Sequence, residues 1–128
     1  MKQLTILGAT GSIGQSTLDV MARHPDRFAV YALTANTGVE PMANLCRQHN
    51  PVYAVMGDQQ SAERLEPLLK GSDTRVLAGE QGLAQVAGDD NVDIVVASIV
   101  GSVGLLPTLA AVRAGKRVLL ANKESLVM

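Results

Sequence analysis

Short apolar runs alternate along the chain with longer stretches in which apolar residues recur at helical spacing. The short runs, rich in Val, Ile and Leu, predict six β-strands at residues 4–7, 28–33, 53–56, 75–77, 93–97 and 117–121. Several of these runs are continuous and do not alternate with polar residues, which is typical of strands covered on both faces. The pattern therefore predicts strands inside a sheet that has helices on both sides.

The stretches between the runs predict helices, because their apolar residues recur every three or four positions. The spacing is clearest at residues 13–24, 39–46, 62–69 and 105–113, and a weaker helix at 81–87 is interrupted by Gly82. Proline or glycine stands near the predicted helix ends, where such residues stop helices. Strands alternating with helices predict an α/β fold: a doubly wound parallel sheet of the Rossmann type, formed as a single domain over residues 1–128.

A glycine-rich loop follows the first predicted strand. Gly8, Gly11 and Gly14 are spaced G-x-x-G-x-x-G where the strand gives way to the first helix. Such a loop turns tightly, lets a pyrophosphate approach the backbone, and directs the unpaired N–H groups of the helix N-terminus at the anion. Thr10 and Ser12 add hydroxyl donors. The loop therefore predicts a dinucleotide-binding site.

The same residues also allow a purely structural interpretation. Ser12 can cap the first helix with Gln15 as its capping-box partner, and the glycines then serve only the turn. The position of the loop favours the binding site, because it follows the first strand and opens a helix within a series of βαβ units.

The end of the second predicted strand bears on which dinucleotide binds. NAD-binding domains of this type usually carry an acidic residue there, which holds the ribose hydroxyls. Here the turn contains Asn36, Thr37 and Gly38, and the first acidic residue, Glu40, falls in the next helix. A carboxylate in the turn would repel a 2′-phosphate, so its absence favours NADP. No Lys or Arg stands in the turn. Asn36, Thr37 and the backbone N–H groups near Gly38 either bind the phosphate or form only a polar turn.

Two further strand ends lie on the side of the sheet where ligands bind. After the fifth strand, the small residues 98–104 either let a ligand approach the backbone or form a flexible connection. After the sixth strand, Lys123 and Glu124 either place a cation and a carboxylate beside the ligand or belong to a solvated helix capped by Asn122. The residues alone leave both alternatives open.

Composition and charge exclude several classes of protein. Eleven basic and 12 acidic residues give a net charge of −1, and only three residues are aromatic, so neither the charge nor the stacking platforms of a nucleic-acid binder are present. Cys46 is the single cysteine, which excludes a disulfide framework and a cysteine-rich metal site. The longest apolar run is far shorter than a membrane span. We expect a cytoplasmic protein with no nucleic-acid partner and no membrane contact.

Three motifs together resemble the 1-deoxy-D-xylulose 5-phosphate reductoisomerase family: GATGSIGQSTLD at 8–19, GLLPTL at 104–109 and ANKESLV at 121–127. The resemblance runs along essentially the whole chain. It implies an NADPH-dependent enzyme of bacterial or plastid isoprenoid biosynthesis, normally a homodimer, that also uses Mg²⁺ or Mn²⁺. Such an enzyme rearranges 1-deoxy-D-xylulose 5-phosphate to a branched aldehyde and reduces it to 2-C-methyl-D-erythritol 4-phosphate.

The resemblance also implies roles for individual residues. The pyrophosphate region of NADPH would contact Thr10, Gly11, Ser12 and Ile13, beside Gly8 of the same loop. The adenosine phosphate would lie at Asn36, Thr37 and Gly38, although some family members have Gly-Lys-Asn there and this chain lacks their cation. The cofactor would also border Asn122 and Glu124, and the sugar phosphate would reach Lys123.

The resemblance further implies that the metal ligands, the substrate phosphate pocket and the catalytic and C-terminal domains lie beyond residue 128. We therefore name no catalytic residue and no metal ligand within the chain, and expect a domain that binds NADPH without turnover.

Two alternatives remain. An aspartate-semialdehyde-type dehydrogenase would need a thiolate, for which Cys46 is the sole candidate. A nucleotide sensor without catalytic activity would need only the Rossmann domain.

Overall fold

The computed structural model describes residues 2–97 and 115–120, which form six strands and four α-helices. The strands are β1 (Lys2–Leu7), β2 (Phe28–Ala35), β3 (Tyr53–Met56), β4 (Arg75–Ala78), β5 (Ile94–Ala97) and β6 (Arg117–Leu120). The helices are α1 (Ser12–Ala22), α2 (Val39–His49), α3 (Gln59–Leu65) and α4 (Gly79–Gly88), and a 3₁₀ turn at Glu66–Leu69 follows α3. All six predicted strands are confirmed to within two residues at each described end. The helix predicted at 105–113 lies outside the described residues.

The six strands form one parallel sheet in the order β4-β3-β2-β1-β5-β6. The chain steps outwards from β1 to β4 and then returns to pair β5 with the other side of β1. The helices cover both faces of the sheet: α1, α2 and α3 pack on one core, whereas α4 packs on a second core on the opposite side. The predicted doubly wound sheet is therefore confirmed.

The core positions of α2 follow the predicted pattern, with Val39, Met42, Ala43 and Cys46 buried. The helical spacing predicted at 13–24 also makes Val20 a core position of α1, and this prediction was wrong. Val20 is 54% exposed, because α1 turns Leu18 and Met21 towards the sheet in its place.

The second departure from the predicted core positions is at Leu68, which is 38% exposed. Here α3 ends at Leu65 and the chain tightens into the 3₁₀ turn. Three residues per turn replace 3.6, so side chains after Leu65 no longer follow the face of the helix.

Gly82 does not interrupt α4, which runs unbroken through it from Gly79 to Gly88. A Cβ atom at Gly82 would lie 3.0 Å from Cβ of Leu77 and 3.1 Å from Cγ1 of Val55. The glycine therefore lets α4 approach β3 and β4 closely, and its loss of helix propensity is offset by packing.

Candidate functional site

The order of the strands reverses at β1, which pairs with β2 on one side and with β5 on the other. In open α/β sheets, ligands bind beyond the carboxyl ends of the strands at such a reversal. The segment that leaves β1 at this point is the glycine-rich loop, residues 8–11, which leads directly into α1. The topology therefore places the predicted phosphate loop where a nucleotide site belongs.

The neighbouring strand β2 fixes the start of this loop. The hydroxyl Oγ1 of buried Thr34 accepts a hydrogen bond from the backbone N–H of Gly8 at 3.0 Å, and the carbonyl of Thr34 accepts one from the N–H of Ala9 at 2.7 Å. Gly8 has φ of +81°, a conformation that other residues adopt only with strain. Sequence reasoning missed Thr34, because its partners are 26 positions away in the chain.

The last glycine of the motif, Gly14, lies in the first turn of α1 and is required by packing. A Cβ atom at Gly14 would lie 2.5 Å from the carbonyl oxygen of Gly8 and 2.7 Å from Cα of Ala9, closer than real Cβ atoms approach backbone. At Gly11 the nearest such atom is 3.6 Å away, an ordinary contact. Gly14 therefore allows α1 to pack against the loop, as predicted for the third glycine of such motifs, whereas packing does not require glycine at position 11.

The N-terminus of α1 has no side-chain cap. Gly11 is the N-cap residue, no side-chain hydrogen bond caps the helix, and its first turn contains no acidic residue. Ser12 is thus the first residue of the helix and not its N-cap residue, contrary to the capping-box interpretation. The side-chain amide of Gln15 instead donates to the carbonyl of Thr10 at 2.8 Å.

Each of the other described α-helices has a carboxylate at its N-terminus, although α2 and α4, like α1, lack a side-chain cap. Asp58 caps α3, its Oδ1 accepting the backbone N–H of Ser61 at 2.7 Å, and α2 and α4 carry Glu40 and Glu80 in their first turns. Those carboxylates interact favourably with the positive end of the helix dipole. Among the described α-helices, α1 alone has neither a side-chain cap nor an acidic residue in its first turn. Unpaired N–H groups and the positive end of the dipole make a helix N-terminus suited to an anion such as phosphate.

The turn after β2 lies beside the glycine-rich loop. A Cβ atom at Gly38 would come within 3.9 Å of the Thr10 hydroxyl oxygen, so the two segments that were predicted to share a cofactor are neighbours. Asn36 and Thr37 are exposed. The backbone N–H of Gly57, which follows β3, donates to the carbonyl of Asn36 at 2.9 Å and ties the turn to the next strand. Gly57 was not predicted from the sequence.

The predicted site residues fall partly within the described part of the chain. Residues 98–104, which follow β5, and Asn122, Lys123 and Glu124, which follow β6, lie outside the described residues. The backbone of Ser12 and Ile13 opens α1. Of the predicted cofactor residues, the structure thus brings together Gly8, Thr10, Gly11, Ser12, Ile13, Asn36, Thr37 and Gly38.

Cys46 does not have the properties of a catalytic thiol. Cys46 lies on the buried face of α2 and is 2% exposed, and burial raises the pKa of the thiol to about 12. A nucleophilic cysteine needs the thiolate form near neutral pH and access to its substrate. The structure therefore gives no support to the dehydrogenase alternative.

Residues 2–97 and 115–120 contain no group of three or more His, Cys, Asp or Glu side chains that could hold a metal ion. Nor does any helix in this part of the chain have the length and apolar character needed to cross a bilayer.

A doubly wound parallel sheet, with a glycine-rich loop and an uncapped helix N-terminus where its strand order reverses, defines a Rossmann-type nucleotide-binding domain. Within that class, residues 4–128 match the family model described as 1-deoxy-D-xylulose 5-phosphate reductoisomerase. The chain belongs to this family.

Individual relatives agree with the family assignment. The chain is 58% identical over 129 residues to the 1-deoxy-D-xylulose 5-phosphate reductoisomerase of Idiomarina loihiensis, covering 100% of this chain and 32% of that protein. It is 60% identical over 128 residues to that of Stutzerimonas stutzeri, covering 98% and 32%. The chain therefore spans about a third of the length of the curated relatives it matches.

Solved structures are similar over the same span. A crystal structure of DOX-P reductoisomerase in complex with NADPH, fosmidomycin and magnesium superimposes with a TM-score of 0.91 at 47% identity, covering 100% of this chain and 32% of that one. The Zymomonas mobilis enzyme in complex with NADPH gives 0.89 at 46% identity, covering 98% and 33%. At this identity the likeness extends beyond the general fold to the family.

Proposed function

We propose that the chain is the NADPH-binding domain, over residues 1–128, of an enzyme that converts 1-deoxy-D-xylulose 5-phosphate to 2-C-methyl-D-erythritol 4-phosphate. The observation that carries this proposal is the uncapped N-terminus of α1 at the strand-order reversal, in a chain that belongs to the reductoisomerase family. Relatives described as complexes with NADPH support the identity of the nucleotide.

The described residues fit a pyrophosphate. Gly8 turns the chain, Gly14 seats the helix, and the backbone N–H groups that open α1 have no capping partner. In the proposed site, Thr10, Gly11, Ser12 and Ile13 hold the pyrophosphate, with the N–H groups as the main donors. The rigid tie of the loop to Thr34 fixes these donors before the cofactor arrives, which lowers the entropy lost on binding.

The remaining cofactor and substrate roles follow the family resemblance. Asn36, Thr37 and Gly38 receive the 2′-phosphate end, Asn122 and Glu124 border the cofactor, and Lys123 reaches the sugar phosphate. NADPH supplies the hydride for the reduction when it is bound. The residues of this chain bind and orient it.

The rest of the proposed enzyme completes the reaction. A divalent cation, Mg²⁺ or Mn²⁺, belongs to the proposal because relatives are described as magnesium complexes, and its ligands are proposed to lie beyond residue 128. The proposed protein is a cytoplasmic homodimer. The 128-residue chain by itself is proposed to bind the cofactor without turnover, as the family resemblance implies.

Calorimetric titration of the 128-residue chain with NADPH, NADH and ATP tests the proposal. We expect NADPH to bind more tightly than NADH, and ATP to bind weakly. Equal affinity for NADPH and NADH, or tight binding of ATP, would favour the nucleotide sensor instead. A folded chain that binds neither dinucleotide would overturn the proposal, with circular dichroism as the check on folding.

A turnover assay tests the second half of the proposal. The chain is incubated with 1-deoxy-D-xylulose 5-phosphate, NADPH and Mg²⁺, and the absorbance of NADPH is followed. We expect no consumption of NADPH. Measurable reduction by the purified chain would show that residues 1–128 suffice for catalysis, contrary to the proposal.

A further inference from the structure

Gly57 directly follows β3, and its backbone lies against the turn that follows β2. Its N–H donates to the carbonyl of Asn36 at 2.9 Å. A Cβ atom at Gly57 would overlap Oδ1 of Asn36 and would lie 3.1 Å from the carbonyl oxygen and 3.2 Å from Cα of the same residue. All three of these nearest atoms belong to Asn36.

Backbone conformation does not account for this glycine. The described glycines with positive φ are Gly8, Gly71, Gly79 and Gly115, and Gly57 is not among them. Any residue could therefore adopt the backbone of Gly57, and what excludes a side chain is the space that Asn36 occupies.

Asn36 has the chemistry to contact an anion. It is exposed at the carboxyl end of β2, in a turn that contains no Lys or Arg. Oδ1 is the amide atom that lies against Gly57, which leaves the Nδ2 donor on the other side of the planar group. Within the described part of the chain, the amide forms no side-chain hydrogen bond. Its donors are thus available to a ligand at the turn.

We propose that Gly57 is a positioning residue for the 2′-phosphate end of NADPH: the absence of its side chain lets Asn36 lie against β3 and present its amide N–H groups to that phosphate. The inference rests on the proposed function. Because the turn contains no cation, discrimination between NADPH and NADH depends on these neutral donors. A displaced amide therefore lowers the affinity for NADPH and leaves the affinity for NADH unchanged.

The substitution Gly57→Ala tests this arrangement in the 128-residue chain. We expect NADPH affinity to fall about tenfold, the size of one lost hydrogen bond to a charged group, with little change for NADH. The affinity for adenosine 2′,5′-bisphosphate, which carries the 2′-phosphate without the nicotinamide, should fall by the same factor. An unchanged ratio of NADPH to NADH affinity in a folded variant would overturn the inference.

Gly82→Ala is the matched control. A Cβ atom there is also crowded, at 3.0 Å from Cβ of Leu77, but its nearest atoms belong to Leu77 and Val55 and not to the turn after β2. We expect this variant to lower the unfolding temperature and to keep the preference for NADPH. Loss of the preference in Gly82→Ala as well would mean that general destabilisation causes the effect, which would overturn the positioning role.

Two further variants act on Asn36 itself. Asn36→Ala should lower the affinity for NADPH as Gly57→Ala does. The double variant should bind NADPH as tightly as Asn36→Ala alone, because both changes remove the same contact. Additive losses would contradict the inference.

Asn36→Asp keeps the shape of the side chain and so does not depend on Gly57→Ala folding. It should abolish the preference for NADPH, since a carboxylate repels the 2′-phosphate. A retained preference would contradict the inference. If the unsubstituted chain binds neither dinucleotide, the proposed function fails. If the unsubstituted chain prefers NADPH and the Gly57 and Asn36 variants keep that preference, only the inference about Gly57 fails.

Discussion

The junctions β1–α1 and β3–α3 lie at the same edge of the sheet and have opposite chemistry. Both connect a buried parallel strand to a helix through a glycine. At β3–α3, Asp58 caps the helix and its carboxylate accepts the N–H of Ser61. At β1–α1, the N-cap is Gly11 and no side chain caps the helix. One helix N-terminus is capped by its own chain, and the other has no side-chain cap and belongs to the proposed pyrophosphate site.

This difference shows what separates a structural junction from a binding junction in such a sheet. A helix N-terminus that carries its own carboxylate has lost its attraction for a phosphate, because the same N–H groups and the same dipole are already used. The absence of a cap costs helix stability, and that cost is recovered when an anion binds. The comparison predicts that exchanging the two chemistries exchanges the two behaviours.

The largest effect is expected at Gly14. Gly14→Ala places a Cβ atom 2.5 Å from the carbonyl oxygen of Gly8, so α1 must move away from the loop. We expect a loss of about 1–3 kcal/mol in the free energy of unfolding, typical of overpacking, together with loss of NADPH binding. Urea unfolding and calorimetry measure the two effects. A variant as stable as the unsubstituted chain would show that the junction is not packed tightly.

Gly11→Asp copies the cap of α3 onto α1. Gly11 has φ of −75° and ψ of 167°, an extended conformation that suits an N-cap aspartate. We expect unchanged or higher stability and a fall in NADPH affinity of roughly tenfold or more, because the carboxylate competes for the N–H groups and repels the pyrophosphate. Gly11→Asn is the neutral control and should weaken binding less. Undiminished NADPH affinity in Gly11→Asp would refute the difference between the junctions.

A smaller effect is expected at Thr34, which holds the loop from β2. Thr34→Val keeps the shape of the side chain but removes the acceptor for the N–H of Gly8, at a cost of about 1 kcal/mol. NADPH affinity should fall several-fold as the loop loosens.

Thr5→Val provides the comparison for Thr34→Val. Thr5 is also buried, and its hydroxyl donates to the carbonyl of Val86 at 2.8 Å, away from the loop. We expect similar destabilisation, measured by urea unfolding, with no change in NADPH affinity. Equal effects of the two substitutions on affinity would show that Thr34 has no special connection with the site.

The smallest effect is expected at Asp58. Hydrogen bonds from Ser61, led by that of its backbone N–H, lower the pKa of the Asp58 carboxyl. A lowered pKa in the folded state contributes stability that is present above the unfolded value, about 3.9, and is lost as the pH falls through the folded value. Asp58→Ala should therefore lower the unfolding temperature at pH 7, by an amount that becomes smaller below about pH 4. The affinity for NADPH should not change. A difference that persists at low pH would contradict the role of the carboxylate.

The sequence pattern was sufficient for the architecture. The continuous apolar runs gave the strands and the glycine spacing located the loop, because both signals are local. It was insufficient for the details that depend on neighbours. Ser12 and Gln15 have the right spacing for a capping box, yet Ser12 is the first residue of the helix and not its N-cap residue.

By itself, the sequence determined the order of the elements, the strand that carries the phosphate loop, and the family. Only the tertiary structure decided which residues support the site. Thr34 holds Gly8 from the adjacent strand and Gly57 makes room for Asn36, whereas Gly82 serves packing alone and seats α4 on the sheet. Each of these contacts joins segments that are distant in the chain. A glycine or threonine gives no local sequence signal of such a contact, because its partner comes within reach only when the sheet forms.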